Sequence, residues 1–119
     1  MVQSVVILVT KAPYGHENVY GALYVAIASQ DVGLQITVIL VGDGVYSALK
    51  DQSSEKSIGY PSIENLFYTL SQNGEILVEK SSLVERGISK ENLIEAIKIT
   101  DEKDVVKAIE EKGEAILTY

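Results

Sequence analysis

His16, Glu79, Lys80, Ser81 and Ser82 are the side chains through which this chain could do chemistry. His16 is the only histidine, and imidazole is the one side chain that titrates near neutrality without perturbation. It is therefore a candidate general acid–base or a polar contact, and equally a solvated loop group, since no nucleophile accompanies it. Glu79 and Lys80 close an apolar run and could wall a polar pocket or face a surface or subunit interface. General acid–base chemistry by paired carboxylates needs a partner for Glu79, and none stands at a diagnostic spacing. Ser81 and Ser82 sit where a helix should begin and could cradle an anion there. Ser82-Leu83-Val84-Glu85 also reads as a capping box, which accounts for Ser82 without a ligand.

The chain has no cysteine, which excludes thiolate nucleophiles, disulfides and thiolate metal sites. A single histidine adds no transition-metal site. The sequence thus assigns no catalytic residue, no metal and no cofactor. Lys11-Ala12-Pro13-Tyr14-Gly15 is not a phosphate loop, because one glycine cannot supply a run of close-approaching N–H groups. Gly42-Asp43-Gly44 is half of a glycine motif but follows the second strand, so Asp43 reads most simply as a turn residue.

With 119 residues, 46% of them hydrophobic, the chain is one domain with enough apolar mass for a core. Seventeen acidic against ten basic residues give a net charge of −7. That balance argues against nucleic-acid binding, which needs clustered Lys and Arg. No apolar run is long enough for a membrane span. No basic segment precedes an apolar one at the N-terminus, so a cytoplasmic chain is expected. Low aromatic content and Glu plus Lys as the main charges fit a thermophile's composition.

Val5 to Val9 is a near-continuous β-branched run, as in a strand covered on both faces. A loop through Pro13 and Gly15 leads into a helix from Glu17 to Asp31, stopped by Gly33. Leu34 to Val41 is the second strand, and a short helix is predicted over 45–50. The polar stretch 51–59 is expected to be exposed and mobile. Ile63, Leu66, Phe67 and Leu70 mark one apolar helix face behind Pro61. Glu75 to Glu79 is the third strand. A short helical turn at 82–86 follows, then one at 90–95, then a fourth strand over 96–100. Asp101 should cap a last helix to Lys112, and Ala115 to Tyr119 a terminal strand. Val6, Leu8, Ile36, Val38, Leu40, Leu77 and Ile97 are the expected core.

This alternation predicts a flavodoxin-like, three-layer α/β/α fold with a five-stranded, mainly parallel sheet, in strand order 2-1-3-4-5. Ligands would then enter outside the strand carboxyl ends, where the order reverses between strands 1 and 3. Lys11, Tyr14, His16, Asp43, Glu79, Lys80 and Ser81 are the candidate residues of that crevice.

Thr10 to Gly15, Gly42-Asp43-Gly44-Val45 after strand 2, and Ser81 to Arg86-Gly87-Ile88 form an ordered set. It resembles the DsrE/DsrF-like family, most closely its TusC/DsrF branch. The resemblance spans most of the chain, and its specificity lies in order and spacing. It implies a flavodoxin-like fold, a link to sulfur relay, and trimers or hexamers of the chain itself or of related subunits, including a cysteine-bearing DsrE-like partner. In the sulfur-carrying subunits a cysteine stands near the end of the third strand, and that position matches Glu79. The expected role is accordingly a non-catalytic subunit or accessory protein of a sulfur-relay system. The alternative is a stand-alone homo-oligomer that binds a small ligand in the crevice. A small enzyme using His16 with Glu79 or Lys80 has the weakest support.

Overall fold

The computed structural model describes residues 3–11, 17–49 and 63–119. The chain runs β1 (Ser4–Val9), α1 (Glu17–Asp31), β2 (Gln35–Leu40), a 3-10 helix (Gly42–Ala48), α2 (Ile63–Ser71), β3 (Glu75–Glu79) and α3 (Lys80–Glu85). A second 3-10 turn (Lys90–Asn92), β4 (Lys98–Thr100), α4 (Glu102–Lys112) and β5 (Ala115–Thr118) complete it. All four strand pairings are parallel, and helices cover both faces, so the three-layer class is as expected.

The strand order is β4-β3-β2-β1-β5, which corrects the expected 2-1-3-4-5. From β1 to β4 every crossover steps the same way across the sheet; only the last one returns, to lay β5 beside β1. Right-handed crossovers then place α1, α2 and α3 on one face and α4 alone on the other. The core follows this division. Val5, Ile7, Val9, Val38, Leu40 and Val78 point to the first face and meet Leu23 and Ala26 of α1, Phe67 and Leu70 of α2 and Leu83 of α3. Val6, Ile39 and Leu77 point to the second and meet Val105 and Ala108 of α4. The period of two along each strand makes this partition.

Phe67 is the largest fully buried side chain among the described residues, and burying each such group stabilises the fold by roughly 1.5–3 kcal/mol. The expected core residues are buried except Leu8, which only half packs against the thinner second-face layer. Asp101 caps α4 by accepting from the Asp104 N–H at 2.9 Å, as its position before the acidic first turn predicted.

Three local expectations shift. The helix expected from residue 45 is instead a 3-10 helix that starts at Gly42. The turn expected over 90–95 contracts to Lys90–Asn92. β4 keeps only Lys98–Thr100 of its expected span. The expected mobile segment, 51–59, lies outside the described residues.

Candidate functional site

The revised strand order moves the crevice. Adjacent strands send their connections to opposite faces between β3 and β4, since α3 lies on one face and α4 on the other. Ligand crevices in open parallel sheets form at such a point, outside the strand carboxyl ends. A shallow depression of about 690 Å³ lies there, lined by Lys80 and Ser81 at the start of α3, Val84 and Glu85 behind them, and Asp101, Glu102 and Lys103 at the start of α4. The expected location between strands 1 and 3 is therefore corrected: β1 lies between β2 and β5 and does not touch β3.

Of the expected site residues, Lys80 and Ser81 line this depression, and Glu79 is the last residue of β3 beside it. Lys11 is exposed after β1. Asp43 sits after β2 and is held by Arg86. Tyr14 and His16 lie outside the described residues.

Glu79 is tethered by a relay that a sequence reading misassigns. The helix after β3 begins at Lys80, and its N-cap residue, Glu79, makes no side-chain cap bond. Ser82 is thus inside the first turn and caps nothing, which corrects the capping box. Its hydroxyl instead donates to Glu79 Oε1 at 2.6 Å and accepts from the Gly42 N–H at 3.0 Å. Four residues on, Arg86 donates to the Ser82 carbonyl at 3.1 Å. Its Nε and a terminal nitrogen reach Asp43 Oδ1 at 3.2 and 3.1 Å. The Gly42-Asp43-Gly44 turn and the Ser81–Gly87 segment are therefore one structural unit, distant in sequence and clamped in space.

Backbone geometry explains the glycines of that turn. Gly42 has φ +55°, a left-handed conformation that side chains disfavour. A Cβ on Gly44 would collide with the Val9 carbonyl, so only glycine lets the turn lie against the end of β1.

The arrangement offers charged and polar groups suited to recognition. Ser82 is buried at 4% exposure, so its hydroxyl positions Glu79 and cannot reach a substrate. The depression mixes two lysines with three carboxylates around Val84, which is 70% exposed. Such a surface suits contact with a partner or small molecule. Among the described residues, no group of His, Cys, Asp and Glu is arranged to hold a metal ion. No described helix is long and apolar enough to cross a membrane. Arg86 and the Asp101–Lys103 wall are the elements sequence reasoning did not bring to the site. The arginine was visible as the only one in the chain, but its partner Asp43 lies 43 residues away.

Comparison with known proteins gives concordant matches. The model of the DsrE/DsrF-like family matches residues 3–119. The protein YchN of Escherichia coli is 32% identical over 82% of this chain and 83% of its own length. Its crystal structure superposes with a TM-score of 0.84, covering 99% of this chain and all of that one at 28% identity. An intracellular sulfur oxidation protein, DsrF of Allochromatium vinosum, is 31% identical over 71% of this chain and 63% of its own. An uncharacterized protein of Methanocaldococcus jannaschii is 28% identical over 92% of this chain.

Proposed function

The chain belongs to the DsrE/DsrF-like family, and from that premise we propose that it is a non-catalytic subunit or accessory protein of a cytoplasmic sulfur-relay system. It shapes an interface while a cysteine-bearing DsrE-like partner carries the sulfur. The observation that carries the reading is the end of β3. The resemblance matches Glu79 to the sulfur-bearing cysteine, and Glu79 there is bound to Ser82 in a chain without any cysteine. A persulfide needs a thiolate sulfur to form on; a carboxylate cannot supply one and repels an anionic donor. The exposed Val84 and the mixed charges around it support an associative role. Association with copies of itself or with related subunits follows from the same reading.

The test is intact-mass analysis after incubation with a persulfide donor. The parent chain should gain no sulfur. Glu79→Cys should gain one, because residue 79 ends β3, where the resemblance puts a carrier's cysteine. A stable sulfur adduct on the parent chain would overturn the proposal. An inert Glu79→Cys variant would count against a pocket still shaped for sulfur and toward the small-ligand alternative, which the switch-point depression also supports.

A further inference from the structure

We propose that the opposite end of the sheet, at the amino ends of β2, β3 and β4, binds a small molecule through an oxyanion group of the phosphate or sulfate type. A cavity of about 520 Å³ opens there, far from the β3–β4 crevice. Its volume exceeds that of a bare ion and lies within the roughly 300–1,000 Å³ of small-molecule pockets.

The charges converging on it run against the rest of the protein. In a chain of net charge −7, the charged residues of this lining, among the described residues, are Lys98, Lys112 and a single acid, Glu75. Lys112 is held at 2.8 Å from Glu75. Lys98 makes no ion pair or hydrogen bond with a described residue, although its charge acts on Glu75. The cavity thus keeps one ammonium without a contact partner and shares a second. Glu75 is the competitor an incoming anion must displace.

A second observation is independent of the lysines. Thr37 lines the same cavity and is 95% buried, with 5% of its surface exposed. Thr37 stands on the same strand face as Ile39, the face that α4 covers. A threonine at the wall of a polar cavity offers a hydroxyl that can both donate to and accept from a bound group. The register puts it beside the ion pair, since Thr37 pairs with Glu75 across β2 and β3. Gln72 and Asn73, in the turn before β3, line it too and carry carboxamides. Ammonium, hydroxyl and amide donors on several sides match an oxyanion that accepts from several directions.

The experiment is a titration of the full chain, at constant ionic strength, with inorganic phosphate, sulfate, glycerol phosphate and acetate, followed by amide chemical shifts. Saturable shifts confined to 35–37, 72–76 and 98 are expected for the first three. Glycerol phosphate should bind tighter than phosphate, and acetate roughly tenfold weaker. Lys98→Gln, a surface change, should weaken phosphate binding by roughly tenfold, and Thr37→Val by a smaller factor. Glu75→Gln should strengthen it, because the competing carboxylate is gone; a purely structural role for Glu75 gives no such gain. No saturable shifts, equal affinity in Lys98→Gln, or shifts centred on Lys80 and Lys103 would overturn the proposal. None of these outcomes bears on sulfur acceptance at residue 79, so the two readings fail separately.

Discussion

Ser82→Ala is the substitution that tests the relay at the end of β3. It deletes one oxygen, which donates to Glu79 at 2.6 Å and accepts from Gly42 N–H at 3.0 Å at a site only 4% exposed. The bond to the carboxylate is charge-assisted, a class worth about 1.5–3 kcal/mol, and the Gly42 bond is an ordinary one of about 1 kcal/mol. Glu79 and Gly42 are themselves only half-buried, so water recovers part of both. The expected net loss is about 1–2 kcal/mol. For a domain of this size, with an unfolding entropy of about 2.1 cal/mol/K per residue, that lowers Tm by roughly 4–8 °C. Urea and thermal unfolding followed by circular dichroism read it directly. Ser81→Ala, one residue away and with no side-chain hydrogen bond to a described residue, is the control and should change stability by under about 0.5 kcal/mol. Pairing Ser82→Ala with Glu79→Ala should reveal about 1 kcal/mol of coupling, because both remove the same bond. Additive losses, or a Ser82→Ala loss no larger than the control's, would refute the relay.

Two further outcomes follow from the core and from the ion pair beneath it. Phe67→Ala should cost about 3–5 kcal/mol in urea unfolding, since the ring is fully buried between α2 and the sheet. The Glu75 carboxyl is held below its usual 4.5, chiefly by the hydrogen bond from Lys112, with burial opposing and the charges of Lys112 and Lys98 assisting. A depressed acid stabilises the fold above its unfolded pKa and loses that contribution as pH falls through the folded value. The stability difference between parent and Glu75→Gln should therefore be present at neutral pH and be lost as pH falls through the depressed folded value. A difference that grows on acidification would contradict the assignment.

How much of this was legible in the sequence depends on which interactions are local. The strand segments were legible because β-branched runs at Val5–Val9 and Ile36–Leu40 repeat a buried pattern that neighbours in sequence share. The cap at Asp101 was legible because its partner is three residues on. Strand order was not, since buried parallel strands carry the same kind of side chain on both faces and two orders obey the same crossover hand. The crevice moved with it, from strands 1 and 3 to β3 and β4. Ser82 was misread because the capping pattern at Ser82–Glu85 competes with a longer-range bond to Gly42, forty residues away. The family motifs named the pieces of that clamp without showing that Gly42, Asp43, Ser82 and Arg86 touch.

The most direct measurement of the central claim is isolation of the chain, affinity-tagged at its native level, from its source cells, with native mass spectrometry of what accompanies it. An accessory role in sulfur relay is expected to yield a defined hetero-oligomer containing a cysteine-bearing DsrE-like subunit, with persulfide sulfur found on that subunit alone. A complex built only from this chain, with no cysteine-bearing relative at any detectable stoichiometry, would contradict it.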